Sequence, residues 1–519
     1  MTSTDQPQDQ PQNVAAQGSI VASMTMISRI SGFARDVVLS HLFGATVVAD
    51  AFFVAFRIPN FFRRLFAEGA FNQAFVPVLV RYREKGHAEL VRFVAVMGGN
   101  LSLAVLTLVV LGVVFSEAFT SVFAPGFIGS ERFDLTSDML RITFPYLAFV
   151  SLVAFSGAIL NAHHRYAVPA ITPVLLNVVL LIAAALGILV AEEPVFVLAW
   201  GVFVAGVVQW LFQIPSLRRI DMLHLPRPDM KHEGARQVGR LLIPAVLAAS
   251  VSQINALVDT ILASLVMEGS VSWLYYADRL LELPIGLVAV AIGTVLLPNL
   301  SRLDATDRAR EFSETLDWGM SLGILLGLPA AVALYLLADP LIATIFYHGA
   351  LGESDVIMAS LALQAFSVGV LPLVLIKILA PAYFAREDTR TPFRIGIIAV
   401  ATNIVVNLSV FQWFGHVGLA LATSVAACVN AYLLMRGLIV KGYYRPGRRC
   451  LRALVQSALA TALLAAAILL WVPPREFWFD LDVWVRAGWL LLVVGVGLVL
   501  YLLALVVAGV RRRHLVHSV

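Results

Sequence analysis

The sequence predicts an all-α polytopic membrane protein with about fourteen transmembrane helices, built as two six-helix lobes plus two extra C-terminal helices. Composition is the first reason: 60% of the 519 residues are hydrophobic and 13% are charged, whereas soluble domains have about 25% charged residues. A succession of apolar segments long enough to cross a bilayer is the second reason. The third is a spacing of Gly and Pro residues that recurs about 225 residues later.

The apolar segments are separated by short breaks that carry Gly, Pro or charged residues. The second segment is the longest, and we expect it to break around Pro59 and Gly69. The predicted spans lie near 19–40, 46–82, 90–116, 138–161, 167–190, 195–216, 238–266, 271–300, 313–338, 355–384, 393–413, 417–439, 451–472 and 484–509.

Lys and Arg concentrate in alternate loops. RYREKG follows the second span and SLRRIDMLHLPRPDMKHEGARQVGR the sixth, while intervening loops such as HLFGAT and MEGS are nearly free of Lys and Arg. Because basic loops remain on the cytoplasmic side, this alternation predicts a multi-pass membrane protein with both termini cytoplasmic; the family resemblance described below implies the bacterial inner membrane. The net charge of +4 is explained by these loops and does not indicate a nucleic-acid partner.

The repeat sets the domain organisation. Gly44 and Pro59 recur as Gly269 and Pro284, and six spans separate equivalent points, so the two halves share one orientation across the membrane. The predicted parts are a disordered cytoplasmic tail at 1–18, an N-terminal lobe at 19–220, a cytoplasmic linker at 221–237, a C-terminal lobe at 238–440, two extra helices at 441–510 and a basic cytoplasmic tail at 511–519.

Charge is unusually dense within the first two spans. A charge at mid-bilayer costs about 2.5–3.5 kcal/mol on insertion scales, yet Arg29 and Arg35 have apolar sequence on both sides. Asp36, beside Arg35, predicts a local ion pair, whereas Arg64 is expected at a helix end. Since most of these charges are cationic, we expect an anionic ligand, and Arg suits a pyrophosphate because it binds phosphate oxygens bidentately and stays ionised.

Two intramembrane cations of the second half leave their roles open. Arg279 either faces a cavity with the first-half arginines or pairs with Glu282 three residues later. Lys377, in LPLVLIKILAP, either lines the same cavity or reaches the cytoplasmic face.

A separate polar set falls in the spans of the second lobe. Asp259 is a lone carboxylate in an apolar helix, Asn403 and Asn407 lie one helical turn apart, and Thr423 is in the following span. Their oxygens either form a cage for Na⁺ or act as interhelical hydrogen-bonding groups.

Enzymatic chemistry is not indicated. No zinc-protease, P-loop or dinucleotide-binding motif occurs in a suitable context. The two cysteines, Cys428 and Cys450, lie in an apolar run and a basic loop, so neither a disulfide nor a metal site is expected.

Four stretches carry a resemblance to a known family: SMTMISRISGFARDVV, ADAFFVAFRIPNFFRRLFAEGAFNQAFVPVL, GSVSWLYYADRLLELP and ITFPYLAFVSLVAFSGAILNA. They resemble the MurJ/MviN lipid II flippases of the multidrug/oligosaccharidyl-lipid/polysaccharide exporter (MOP) superfamily, and the similarity covers about residues 19–510. The resemblance implies a transporter that moves lipid II, the undecaprenyl-pyrophosphate-linked peptidoglycan precursor, from the inner to the outer leaflet by alternating access. It also implies membrane lipids and cell-wall synthesis proteins as partners.

The resemblance further implies residue roles. The cavity cations of the family match Arg29, Arg35, Arg63 and Arg279, and its functional acids match Asp36 and Asp50. Some members bind Na⁺ between spans seven, eleven and twelve, a pattern matched here by Asp259, Asn403, Asn407 and Thr423. Spans thirteen and fourteen would form a groove for the polyprenyl tail.

Other functions remain as alternatives. A polysaccharide-lipid flippase or a cation-coupled drug antiporter of the same superfamily would share the fold, but an arginine-rich cavity disfavours cationic drugs. A polyprenyl-lipid enzyme would need acidic metal-binding clusters, and a scaffold would leave the intramembrane charges unexplained. Transport is expected to be driven by the membrane potential, a cation gradient or both.

Overall fold

The computed structural model describes residues 12–67, 69–190, 193–306 and 308–510, and within these ranges it contains helices and no β-strand. The all-α prediction is therefore confirmed. Residues 1–11 of the predicted N-terminal tail and the whole predicted C-terminal tail, 511–519, lie outside the described residues.

The described chain folds into nineteen α-helices, with a short π-helix, Arg63–Ala67, after the second and a 3₁₀-helix, Pro125–Phe127, after the fifth. The α-helices are α1 Gln12–Phe43, α2 Val47–Phe62, α3 Gly69–Glu84, α4 His87–Val114, α5 Ser116–Phe123, α6 Glu131–Thr143, α7 Tyr146–Ala162, α8 Ala167–Val190, α9 Pro194–Arg219, α10 Glu233–Ser264, α11 Ser270–Ala305, α12 Ala309–Leu336, α13 Ala338–Phe346, α14 Glu353–Ser367, α15 Val370–Phe384, α16 Arg390–Val440, α17 Arg448–Trp471, α18 Arg475–Asp480 and α19 Val483–Val507.

The number of clear membrane spans is lower than predicted. Among the described residues, seven helices are long and apolar enough to cross a bilayer, or nine if the bent pairs α6–α7 and α14–α15 each count as one. A multi-pass membrane protein is thus confirmed, but the count of fourteen is not. One reason is length, because α2 and α3 have 16 residues each and a span needs about 20.

The longest helix, α16, covers two predicted spans. Its 51 residues would measure about 76 Å as one straight helix, more than twice the roughly 30 Å of a hydrocarbon core. Gly415 interrupts it with φ 55° and ψ −134°, a backbone conformation that glycine adopts readily. The predicted boundary between 393–413 and 417–439 therefore coincides with a real break.

The predicted break in the second span also has a structural counterpart. The π-helix Arg63–Ala67 lies between α2 and α3, between the two residues that predicted the break. Pro59 itself stays inside α2. A π-helical turn displaces the side chains of a helix and is often found at functional sites.

The contacts divide the chain into two units. The first comprises Met1–Leu39 and Ala51–Gln253, and the second comprises Ser40–Asp50 and Ile254–Val519. The short segment 40–50, which the repeat assigns to the N-terminal lobe, thus packs with the second unit. The predicted division into lobes stays a prediction, because it rests on the repeat.

The linker after α9 is bound to the first unit. Asn100 on α4 donates from Nδ2 to the carbonyl oxygen of Asp229 (2.9 Å) and accepts from the Asp229 N–H (2.9 Å). The Arg227 N–H donates to the carbonyl of Ala95 (3.0 Å). Gly99 permits this contact, since a Cβ there would lie 2.4 Å from the backbone nitrogen of Pro228.

Aromatic packing forms the core of each unit. In the first unit, Phe75 and Tyr82 stack on the buried ring of Phe93. In the second, the core includes Phe312 and Tyr383, and the Tyr383 hydroxyl donates to the carbonyl of Leu434 (2.8 Å). The phenol of Tyr383 therefore stays hydrogen-bonded inside an apolar cluster.

A carboxylate joins the two ends of α16. Asp388 accepts from the N–H (3.0 Å) and hydroxyl (2.7 Å) of Thr391 near the helix start. It also accepts from Nζ of Lys441 at the helix end (2.6 Å). Burial opposes ionisation of this carboxyl, but the bonds from Lys441 and Thr391 prevail and lower the pKa of Asp388 to about 2.

We therefore predict that Asp388→Ala lowers the free energy of unfolding by about 1 kcal/mol at pH 7, the usual effect of removing a capping side chain. Because the folded pKa is depressed, this contribution is complete above the unfolded value near 3.9 and disappears as pH falls through about 2. Thermal unfolding in detergent at pH 7 and pH 3 measures it. Glu84→Ala, which removes an exposed carboxylate at the end of α3, is the control; equal destabilisation by both variants would contradict the prediction.

Candidate functional site

The predicted ion pair between Arg35 and Asp36 is present and buried in the first unit. Nε and Nη2 of Arg35 donate to Oδ1 of Asp36 at 2.9 and 2.6 Å, and the two residues are 7% and 1% exposed. Nη1 of Arg35 donates to Oδ1 of Asn177 (2.9 Å). Losing one partner would leave a buried charge uncompensated.

Asn177 connects this pair to the helix that carries it. Its Nδ2 donates to the hydroxyl of Ser31 (2.9 Å) and to the carbonyl of Ser28 (3.2 Å), so α8 is bonded to α1 at three points. A Cβ at Gly32 would lie 3.4 Å from Nδ2 of Asn177, an ordinary van der Waals contact. The side chain of Asn177 therefore lies directly against α1 at this point.

A cavity of about 310 Å³ lies beside this network, wholly within the first unit. Arg63 of the π-helix lines it, partly buried, with Nε donating to Oδ1 of Asn60 (3.0 Å). Its hydrogen-bonding lining residues are Ser28, Arg63, Asn72, Asn161, Thr172, Asn177, Gln209 and Gln213, together with Tyr146. Two predicted cations are thus associated with one polar cavity: Arg63 in its wall, and Arg35 behind that wall through Asn177.

Two other predicted cations are exposed side chains. Arg29 on α1 and Lys377 on α15 form no hydrogen bond or ion pair with the residues that the structure describes. Neither lines the cavity around Arg63. Their assignment to substrate binding stays a prediction.

Asp50 is a buried acid at the start of α11, and its predicted functional role stays a prediction. It is fully buried and accepts from the N–H of Gly269 (2.8 Å) and from the N–H (3.0 Å) and hydroxyl (2.6 Å) of Ser272. These groups belong to the start of α11, where unpaired N–H groups favour an anion. Asp50 therefore anchors the segment 40–50 within the second unit.

Backbone contacts reinforce this anchor. The Tyr276 hydroxyl donates to the carbonyl of Gly44 (2.5 Å), and the Ala350 N–H donates to the carbonyl of His41 (2.9 Å). Gly44 has φ +57°, and a Cβ there would lie 2.5 Å from the Ala350 oxygen. Glycine at 44 is required both by the left-handed turn and by the close approach.

Arg279 pairs with its neighbour on α11. Nη1 donates to Oε2 of Glu282 (3.1 Å), and the guanidinium lies 4.7 Å from the ring centroid of Tyr275. Of the two alternatives left by the sequence, the ion pair is therefore formed. The side chain is still 29% exposed, and its role toward substrate stays a prediction.

The four predicted Na⁺ ligands lie together in the second unit. Asn407 donates from Nδ2 to Oδ1 of Asp259 (2.8 Å) and to Oδ1 of Asn403 (2.9 Å). Thr423 donates to Oδ2 of Asp259 (3.4 Å) and accepts from Nδ2 of Asn403 (3.3 Å). Both alternatives from the sequence, a cation site and interhelical bonding, are compatible with this ring.

The oxygen-only donor set bears on which ion would fit. Oδ1 of Asn407 is buried and has no hydrogen-bond partner in the described part of the chain, and the set contains a single carboxylate, Asp259. The described residues contain no group of three or more His, Cys, Asp or Glu suited to a metal ion. One carboxylate with neutral oxygens suits a hard monovalent cation such as Na⁺ better than a transition metal.

The chain is similar to known proteins along most of its length. The family model described as lipid II flippase MurJ matches residues 39–480. The chain belongs to the MurJ family. It is 43% identical over 507 residues to a probable lipid II flippase MurJ of Haemophilus influenzae, covering 95% of this chain and 99% of that protein. A probable lipid II flippase MurJ of Vibrio cholerae is 44% identical over 508 residues, covering 96% and 97%.

Among solved structures, a MurJ flippase is more similar to this chain than a MATE transporter is. A structure described as lipid II flippase MurJ in an inward closed conformation matches with a TM-score of 0.80 and 29% identity, covering 93% of this chain and 97% of that one. An inward-facing multidrug MATE transporter of the MOP superfamily matches with a TM-score of 0.67 at 14% identity, covering 82% and 98%. The second likeness shows a shared fold only, so it does not favour the drug-antiporter alternative.

Two buried charged residues of this MurJ-family chain stabilise helix ends, and the sequence analysis did not identify them. Asp317 on α12 accepts from the N–H groups of Gly447 (2.8 Å) and Cys450 (3.2 Å) at the start of α17. Arg486 on α19 donates to the carbonyls of Ala343 (2.7 Å) and Leu481 (3.0 Å). The signal for Asp317 was available, because it is a lone acid in the apolar run DWGMSLGILLG.

The two C-terminal helices of this MurJ-family member enclose an apolar cavity. Its volume is about 300 Å³, and its lining comes from α17 and α19 and the residue after α17. The lining consists of Ala467, Ile468, Trp471, Val472, Trp489, Leu492, Val493, Val496, Gly497 and Leu500. Such a lining suits hydrocarbon.

We predict that Asp50→Asn loosens the start of α11. Asparagine has the same shape as aspartate but carries no charge. Each of the three hydrogen bonds that Asp50 accepts contributes about 1.5–3 kcal/mol when the acceptor is a charged carboxylate, and the substitution weakens them. Hydrogen exchange at the amides of Gly269 and Ser272 should accelerate at least about tenfold. Glu268→Gln, an exposed acid beside the same helix start, is the control, and unchanged exchange in Asp50→Asn would show that the anchor does not depend on the carboxylate.

Proposed function

We propose that this protein is a lipid II flippase that moves the diphosphate-linked peptidoglycan precursor from the inner to the outer leaflet of the bacterial cytoplasmic membrane by alternating access, without changing it covalently. Family membership supports the substrate class, since relatives at 43–44% identity over nearly the whole chain are named probable lipid II flippases. The observation that carries the proposal is the cavity of the first unit that has Arg63 in its wall and several amide and hydroxyl side chains around it.

The chemistry of the substrate explains why arginines are retained there. Moving a diphosphate through hydrocarbon without replacing its water is prohibitively costly. A guanidinium stays ionised when it is partly desolvated and offers several N–H donors to phosphate oxygens. Arg63, and Arg279 with its partly exposed side chain, supply such groups on membrane helices of the two units.

The cavity between α17 and α19 supports a path for the lipid tail. Its lining is aliphatic and aromatic, whereas the cavity around Arg63 is rich in amides. A polyprenyl chain would remain in an apolar environment along α17 and α19 while the head group is carried by polar residues.

The proposal includes the orientation of the protein in the membrane and the energy that drives transport. The concentration of Lys and Arg in alternate loops supports a cytoplasmic position for both termini. Moving one elementary charge across a membrane potential of 100 mV changes its free energy by about 2.3 kcal/mol. This energy is enough to return the cationic residues to their starting position after the anion is released. Proteins of cell-wall synthesis, which consume the exported precursor, are the proposed partners.

Na⁺ is the proposed coupling ion, held by Asp259, Asn403, Asn407 and Thr423. Nδ2 of Asn407 donates to the Asp259 carboxylate, and Oδ1 of Asn407 has no hydrogen-bond partner among the described residues; both observations support this assignment. A bound Na⁺ would replace the hydrogen bonds of the ring with ion–oxygen contacts, which links the ion to the packing of α10 against α16.

The proposal predicts that Arg35→Ala and Arg279→Ala each abolish lipid II translocation while membrane insertion stays normal. Arg35→Ala leaves the buried Asp36 without its cation, and Arg279→Ala removes a partly exposed guanidinium. Transport of labelled lipid II in proteoliposomes is the measurement. Arg310→Ala is the control: it breaks the ion pair between Arg310 and Glu314, in which the Arg310 side chain is 91% exposed, and this variant should transport normally. Wild-type transport by correctly inserted Arg35 and Arg279 variants would refute the roles of these two residues.

For the ion, we predict that Asp259→Ala removes any dependence of transport on Na⁺. Transport is compared in Na⁺ and in choline buffers of equal ionic strength. Ser409→Ala, which removes an exposed hydroxyl bonded only within α16, is the control. An unchanged Na⁺ response in Asp259→Ala would leave interhelical bonding as the role of this ring.

A further inference from the structure

Another cavity of the first unit lies beside the linker that follows α9, and we call it the linker cavity. Its volume is about 430 Å³, and its walls come from α3, α4, α7, the linker and the start of α10. All of its lining residues fall within 51–253, so it belongs wholly to the first unit. It shares no lining residue with the cavity around Arg63.

The walls of the linker cavity are mostly apolar. Of the fifteen residues that line it, three carry polar side chains: Asn100, Ser151 and Arg236. On α4 the lining extends from Met97 to Leu108, which is about 16 Å along the helix axis. A cavity of this length and composition suits a hydrocarbon chain.

The linker cavity opens on the surface of the first unit. Ala104 on α4 and Gly239 on α10 both line it and are exposed. On the same stretch of α4, Leu103 and Leu106 are 53% and 56% exposed. Exposed leucines on a membrane helix contact acyl chains, which are as apolar as leucine itself. A lipid chain can therefore enter the cavity from the bilayer.

The one charged residue among those that line the linker cavity lies at the start of α10. Arg236 is exposed, and its side chain forms no hydrogen bond or ion pair with the described part of the chain. Glu233 lies one turn earlier on the same helix and is not paired with it, and none of the described lining residues is a carboxylate. A guanidinium in such surroundings favours a phosphate or another anion.

Contacts of the linker indicate where this charge lies relative to the membrane. The linker bonds to α4 at Ala95 and Asn100, next to Met97, where the lining begins. Since the basic linker is predicted to be cytoplasmic, a head group beside Arg236 would lie at the inner leaflet. The apolar space continues from there to Leu108.

We propose that the linker cavity holds one acyl chain of an anionic phospholipid of the inner leaflet, whose phosphate is bound by Arg236. The bound lipid joins the start of α10 to α4 and to the linker. Phosphatidylglycerol carries a net negative charge, whereas phosphatidylethanolamine is neutral overall, so the guanidinium selects phosphatidylglycerol. The inference goes beyond the proposed function, because it does not depend on which lipid-linked molecule is transported.

The test measures how tightly the full-length protein in detergent binds each of these two phospholipids, with identical acyl chains, by native mass spectrometry. Wild type should bind one phosphatidylglycerol more tightly than phosphatidylethanolamine. Gly239→Leu should weaken binding of both lipids about tenfold or more, because its side chain displaces the acyl chain. Arg236→Gln should weaken phosphatidylglycerol binding about fivefold and leave phosphatidylethanolamine binding unchanged.

Matched controls use similar positions outside the linker cavity. A Cβ at Gly239 meets no atom within 4 Å, and the same holds for Gly488 on α19, so Gly488→Leu is the control for the cavity-filling variant. Arg218→Gln removes an exposed arginine at the end of α9 and is the control for charge. Both controls should bind each lipid as wild type does.

Three results would overturn the proposal. Unchanged phosphatidylglycerol binding in Gly239→Leu would show that the cavity holds no acyl chain, and equal weakening in Arg236→Gln and Arg218→Gln would assign the lipid to the basic surface in general. Undecaprenyl phosphate that binds more tightly than phosphatidylglycerol, and is lost in Gly239→Leu, would assign the cavity to a polyprenyl chain. Thermal unfolding checks the fold of Gly239→Leu; if it does not fold, Ala104→Leu fills the same cavity from α4.

Discussion

The cost of keeping charge inside apolar helices governs how this protein is put together. The buried Arg35 is held by Asp36 and by Asn177 of another helix, so α1 and α8 must lie close together at that point. Asp259 imposes the same condition on α10 and α16 through Asn407. An uncompensated charge at such a depth costs several kcal/mol, and each pairing therefore selects a particular arrangement of neighbouring helices. The polar residues do more than bind a ligand: they determine which helices touch.

Helix starts are stabilised from elsewhere in the chain. Asp50 binds the N–H groups at the start of α11, 219 residues away from Gly269, and Asp317 does the same for α17. Both acids place a negative charge where a helix exposes unpaired N–H groups and a positive dipole end. Through Asp317, a helix that lies outside the internal repeat is fastened to the second unit. Arg486 has the opposite charge and donates hydrogen bonds to backbone carbonyl groups, including that of Ala343 in α13.

The two cavities differ in the chemistry of their walls. The cavity in the first unit is lined by Arg63 and several amide side chains, whereas the cavity between α17 and α19 offers hydrocarbon contact. A cationic drug would find little compensating charge in the first cavity. This distribution explains why a fold shared with multidrug transporters at 14% identity can serve an anionic substrate, since specificity lies in the side chains of the cavities and not in the helix arrangement.

By itself, the sequence determined the all-helical membrane class, the boundary between spans 393–413 and 417–439 where Gly415 breaks α16, and the pairing of Arg35 with Asp36, because hydropathy and adjacent opposite charges act locally. It also singled out Asp259, Asn403, Asn407 and Thr423 as one polar set, since such residues are rare in apolar spans. Only the tertiary structure decided that Asp50 caps α11 and Asp317 caps α17, and that Gln209 and Gln213 line a cavity with Arg63. Those contacts join residues far apart in the chain, and periodicity carries no information about which helix ends or faces meet.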